Sequence, residues 1–207
     1  GLRLGAQWTA TPALDLGLSY RHRTETEVTS EGGTALAFRA RDVSTSFTLP
    51  SKIIAGARWN AEAVLPHTAL AGDVEYNFNS QNEGDPLEGT QAATGAEVSV
   101  PNVFEWKNSV TMRLGVEWLA LDEEDEHVAI RAGYVYDSKT ANEKYPPAFG
   151  TPPAATQVFT TGAGYRSGGF QVNLAYGYRF GSAEITDETL SAPDVRVWRF
   201  CGEAGNY

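Results

Sequence analysis

The chain has 207 residues, a formal net charge of −10 and a mean hydropathy of −0.32, and it carries 21 Gly with 9 Phe, 9 Tyr and 5 Trp. No run approaches the roughly 18 consecutive apolar residues of a membrane-spanning helix. The acidic balance disfavours a phosphate backbone as partner, and the single cysteine, Cys201, has no CxxC or Cys/His companion that would suggest structural zinc.

What remains is alternation with period 2, which puts every second side chain on one face of a strand. Leu2, Leu4, Ala6 and Trp8 alternate with Arg3, Gly5 and Gln7. After a tight turn, Leu14, Leu16, Leu18 and Tyr20 alternate with Asp15, Gly17, Ser19 and Arg21. Val43, Thr45, Phe47 and Leu49 then share parity with Ile53, Ala55, Ala57 and Trp59 on the far side of Pro50. Shared parity predicts one strand of about 18 residues, kinked at Pro50 with the missing prolyl N–H at a ladder defect, rather than a hairpin.

Further on, Leu70, Val74, Tyr76 and Phe78 mark another strand, and the polar stretch 79–107 reads as a long mobile loop. Val110, Met112, Leu114, Val116 and Trp118 oppose Thr111, Arg113, Gly115 and Glu117. Beyond the acidic turn 122–126, Val128, Ile130, Ala132, Tyr134 and Tyr136 oppose Arg131 and Gly133. A Pro-rich segment, 137–156, precedes two more alternating runs, Phe159 to Tyr165 and Phe170 to Phe180. A weakly patterned stretch, 195–207, is read as the last strand.

Connections alternate between short and long, so the short ones fall at one end of the strands and the long ones at the other. This rhythm predicts a single domain, 1–207, that is all-β: an antiparallel up-and-down transmembrane β-barrel with short periplasmic turns and long outer loops. Apolar positions are expected to face lipid and charged positions a lumen. The count of about nine strands is odd, whereas single-chain bacterial barrels are even, so the chain is expected to be an incomplete portion lacking N-terminal strands.

Three stretches carry a resemblance. They are Leu49-Pro50-Ser51-Lys52 leading into Ile-Ile-Ala-Gly-Ala-Arg-Trp, then Arg131-Ala-Gly-Tyr-Val-Tyr-Asp137, then Gly162-Ala-Gly-Tyr165 with Leu174-Ala-Tyr-Gly-Tyr-Arg-Phe180. In order and spacing they resemble the C-terminal portion of the FadL-type outer-membrane transporters. The resemblance implies uptake of hydrophobic compounds, such as long-chain fatty acids or aromatic hydrocarbons, by passive diffusion without a cofactor or enzymatic step. It also implies a monomer in the outer membrane of a Gram-negative bacterium, in contact with membrane lipid and lipopolysaccharide. Ser138-Lys139-Thr140 and Pro153-Ala-Ala-Thr156 depart from the family's pattern in the loop before the last two motifs.

Candidate ligand contacts are the lumen-facing cations Arg58, Arg113, Arg131 and Arg179, whose guanidinium groups can meet a carboxylate. The competing expectation is cross-strand pairing with Asp73, Glu75 and Glu117. His22, His67 and His127 have no metal-ligand spacing, no Gly-x-Ser-x-Gly is present, and the acidic turn lacks a calcium-loop pattern, so no metal and no catalytic residue is assigned. Two other readings are a general porin for small polar solutes and a soluble β-sandwich for adhesion or carbohydrate binding.

Overall fold

The computed structural model describes residues 1–30, 34–35, 40–143 and 153–183. In chain order its strands are β1 (Arg3–Thr11), β2 (Leu14–Arg21), β3 (Thr24–Thr29), β4 (Thr34–Ala35), β5 (Ala40–Leu49), β6 (Lys52–Asn60), β7 (Thr68–Asn77), β8 (Leu87–Gln91), β9 (Glu97–Val100), β10 (Ser109–Asp122), β11 (Glu126–Asp137), β12 (Thr156–Ser167) and β13 (Phe170–Gly181). Each of the eight alternating runs that begin at Leu2, Leu14, Ile53, Leu70, Val110, Val128, Phe159 and Phe170 forms a strand of one sheet.

That sheet is an antiparallel meander in the order β1-β2-β6-β7-β10-β11-β12-β13, and no ladder joins β1 to β13 among the described residues. Its lower connections are short: 12–13, 61–67, 123–125 and 168–169. The last turn uses Gly168 at φ 52, a left-handed conformation that glycine adopts without a Cβ clash. The ninth expected strand, 195–207, lies outside the described residues.

Two long upper connections do not remain loops. Residues 22–51 supply β3, β4 and β5, and residues 78–108 supply a 3₁₀ turn, Asn79–Gln81, with β8 and β9; together they build a second sheet, β3-β5-β8-β9, with β4 beside β5. The expectation of an unstructured 79–107 is therefore corrected. Leu87–Gln91 and Glu97–Val100 pair as a short hairpin whose polar sequence hid its strands, because neither face is buried deeply enough to require alternation.

Pro50 also needs correcting in detail. The strand stops at Leu49 and resumes at Lys52, and the two pieces lie in different sheets. A hairpin at Pro50 is excluded as well, since β5 pairs with β3 and β8 while β6 pairs with β2 and β7. The register nevertheless carries across: Arg21 faces Lys52 and Thr24 faces Leu49, so His22-Arg23 and Pro50-Ser51 are equal two-residue gaps in one ribbon.

At the gap the ladder is replaced by side-chain bonds. Arg21 Nη2 donates to the Pro50 carbonyl (2.9 Å), the Arg23 N–H donates to Ser51 Oγ (2.9 Å), and the Ser51 N–H donates to Gln81 Oε1 (2.8 Å). Ser51 is 3% exposed. Ser51→Ala is expected to lower unfolding stability by about 1 to 2 kcal/mol by orphaning the Arg23 N–H. A urea midpoint unchanged from the parent would show that the gap is held by backbone alone.

The molecule has no conventional core among the described residues. Its buried hydrophobic residues are Ala40, Ala61, Ala129 and Ala141, whereas Leu114, Leu174, Tyr176 and Trp8 are each about two-thirds exposed. In water such a face would be costly at roughly 25 cal/mol per Å² of apolar surface.

Candidate functional site

The sheet separates two faces. On the apolar face one hydrogen-bonded row runs Trp8, Leu16, Ala57, Gly72, Leu114, Tyr134, Phe159, Tyr178 from β1 to β13. The lower aromatic residues leave this row progressively. Trp8 lies in it, while Trp59 on β6 is two residues below, Trp118 on β10 four, Tyr165 on β12 six and Phe170 on β13 eight. All five are exposed.

An aromatic line that slips eight residues over the seven strand steps of that row defines a plane oblique to the strands. With a rise of ~3.3 Å per residue and a strand spacing of ~4.8 Å, the strands tilt by ~38° from the normal to that plane. Outer-membrane barrels tilt by about 35–45° and carry aromatic girdles where lipid meets water. A second aromatic set, Tyr20, Tyr76, Tyr136 and Phe180, sits toward the upper ends, and Val110 to Trp118 on β10 spans ~21 Å along the normal.

The opposite face is charged, and register explains its pairings. Asp73 lies beside both Gly56 and Arg113, and Glu117 beside Arg131. Arg113 Nη1 reaches Asp73 Oδ1 at 2.7 Å and its Nη2 reaches Glu75 Oε2 at 2.9 Å, while Lys52 Nζ meets Glu75 Oε1 at 3.1 Å. Arg131 Nε meets Glu117 Oε2 at 2.6 Å, and its Nη1 donates to Asn173 Oδ1 at 3.3 Å. Arg179 Nη2 lies 3.2 Å from Asp137 Oδ2, and Asp137 Oδ1 accepts from Thr111 Oγ1 at 2.8 Å.

Three of the four candidate arginines, Arg113, Arg131 and Arg179, are thus neutralised by carboxylates two or fewer strands away. Arg58 differs. It makes no hydrogen bond or ion pair among the described residues, and its register partner Asp15 instead accepts from Thr9 Oγ1 at 2.7 Å.

Across the sheet from Arg58 the row continues as Ala71, Gly115, Gly133, Thr160 and Gly177. Of these small residues Ala71, Gly115, Gly133 and Thr160 floor a concavity of about 520 Å³ that Arg58, Glu117, Arg131 and Asn173 also line. The Asp73–Arg113 pair belongs to the register row above it and the Glu117–Arg131 pair to the row below. Sequence reading found the arginines but missed Lys52, Asp137 and the glycine floor, because each gains its meaning only from cross-strand register.

The histidines do not converge. Tyr20 Oη and His22 Nδ1 share a hydrogen bond of 2.9 Å, His67 sits in a lower turn at φ 57, and His127 Nδ1 lies 2.6 Å from Asp122 Oδ1 at another. Among the described residues no group of three potential metal ligands forms.

No protein-family model and no curated protein matches the chain. Solved structures do. The chain is similar to the CymD monoaromatic hydrocarbon channel at 21% identity and a TM-score of 0.59, over 86% of this chain and 46% of that one. It is similar to a Pseudomonas aeruginosa FadL homologue at 19% identity and a TM-score of 0.65, over 88% of this chain and 44% of that one. The chain therefore spans less than half the length of these channels, and at such identities the likeness establishes a shared fold alone: an antiparallel wall like part of theirs.

Proposed function

We propose that this chain is a portion of a FadL-type outer-membrane channel, in a Gram-negative bacterium, through which hydrophobic compounds diffuse without a cofactor. The observation that carries this reading is the oblique aromatic line on an uncovered apolar face. It supports a membrane plane across the wall independently of any likeness. The shared fold with a monoaromatic hydrocarbon channel and a FadL homologue supports the transported class.

A soluble sandwich would need a second layer over Leu114, Leu174 and Tyr176, and no described residue supplies one. A general porin would share the lipid face but keep an open aqueous lumen. Reconstituted in planar bilayers, the full-length protein is expected to give no large stable ionic conductance, while vesicles containing it admit a neutral apolar probe faster than empty ones. A steady porin-sized current would sink the reading.

On this reading the second sheet lies outside the cell. Protease added to intact cells should cut the β8–β9 turn, residues 92–96, which is mostly exposed, and spare the short lower turns. Cleavage there only after the periplasm is opened would invert the topology.

A further inference from the structure

We propose that the turn 61–67 is a lipid anchor that seats Val64 and Leu65 at the headgroup–chain boundary of phospholipid in the periplasm-side leaflet; this rests on the membrane reading above. It is the longest of the four lower connections, the others being Pro12-Ala13, Glu123-Glu124-Asp125 and Gly168-Gly169. Here Ala63, Val64, Leu65 and Pro66 are consecutive and exposed, Val64 at 68% and Leu65 at 47%. Single exposed apolar residues are ordinary, but an unbroken run at the margin of an apolar face extends that face.

Position favours lipid over water. The lower aromatic line passes through Trp59, one residue before Asn60, and through Trp118, whose register partner Thr68 is the first residue after the turn. Two indoles thus flank the turn where it leaves and rejoins the wall, within about one residue rise, ~3.3 Å, of the line. Trp at such a boundary keeps its ring in the apolar region and its N–H toward water.

The tip is also held in one shape. The Val64 and Leu65 N–H groups both donate to the Ala61 carbonyl at 2.8 Å, and Ala61 is fully buried. His67 takes φ 57, uncommon for a residue with a Cβ, and is fixed by its N–H donating to Glu62 Oε2 at 2.7 Å and its carbonyl accepting from the Leu119 N–H at 2.9 Å. Glu62, the one acid of the turn, is thereby bonded to the turn's own backbone, and no charge interrupts the run from Ala63 to Pro66. A preformed apolar tip enters lipid without first losing conformational freedom.

The test uses the full-length protein folded into phosphatidylcholine vesicles, its own cysteines, Cys201 included, changed to serine. A nitroxide is attached to a cysteine introduced at one site, and its exposure to oxygen, which concentrates in lipid, is compared with its exposure to a neutral nickel chelate, which stays in water. Val64→Cys and Leu65→Cys, read separately, are each expected to give an oxygen-to-nickel ratio at least about threefold that of Asp125→Cys in the acidic turn, and Leu114→Cys on the wall a higher ratio still. A ratio at both tip positions equal to that at Asp125 overturns the anchor, because the tip then stands in water. Low exposure to both reagents at both tip positions overturns it too, by showing the tip covered by protein. A water-like ratio at Leu114 overturns the membrane reading itself, an outcome separate from the others.

Discussion

Arginine in place of Leu174 is expected to reduce insertion into lipid vesicles by a factor of tens or more, whereas arginine at the neighbouring Ala175 should be tolerated within about threefold. Leu174 is 70% exposed on the apolar face, four residues above Phe170 and six below Phe180, which puts it near mid-band. A charge at that depth costs roughly 2 to 4 kcal/mol. Ala175 points the other way, across from Gly162 on the charged face. Val116→Arg should behave like Leu174→Arg. Thr111 is an unsuitable control because it is 7% exposed and bonded to Asp137, so a substitution there would disturb packing for reasons unrelated to lipid. The measurement is the fraction of chain reaching the compact, heat-sensitive form on unheated gels. Equal tolerance at positions 174 and 175 would remove the assignment of faces.

The second large effect belongs to Glu75. Its side chain is 9% exposed and receives both Lys52 and Arg113. Glu75→Ala leaves two cations facing each other with Asp73 alone to compensate, and a loss of about 2 to 3 kcal/mol is expected. This is below the 3 to 5 kcal/mol of a fully buried pair, because the cations retain partial hydration. Adding Lys52→Met should recover part of the loss by removing the unpaired charge. A urea unfolding midpoint that does not move in Glu75→Ala would mean that the cluster is an exposed decoration. A double variant no better than the single would mean that Glu75 acts by packing alone.

The wall was legible in the sequence because an apolar face on one side and a polar, charged face on the other impose a strict two-residue rhythm. Phe170 to Phe180 shows it most cleanly, with apolar or aromatic residues at every even position. Of the second sheet only β5 was legible, through the alternation from Val43 to Leu49. Where both faces of a strand meet water, as in Leu87-Glu-Gly-Thr-Gln91, nothing selects alternation, and only hydrogen bonding to a neighbour makes a strand of it. The candidate site was half visible. Arginines announce themselves by type, but which of them is neutralised depends on pairs such as Glu117 with Arg131 that are 14 positions apart and become neighbours through the β10–β11 register. The glycine floor is spread over strands that sequence order separates, and each glycine alone looks like ordinary strand punctuation.

The paired gaps at His22-Arg23 and Pro50-Ser51 have a consequence for how this protein can change over generations. Because the gaps are of equal length, the second ribbon keeps the wall's alternation of faces, and the break at Pro50 does not slip its register. A one-residue insertion or deletion in either gap would turn the outer ribbon inside out with respect to the wall, exchanging the neighbours of every side chain from Thr24 to Thr29 or from Ala40 to Leu49. Matched changes on both sides would preserve the exchange of partners. The paired gap is thus a place where length is coupled between two distant stretches of the gene, whereas the β8–β9 turn, which faces no such partner, is free to grow or shrink.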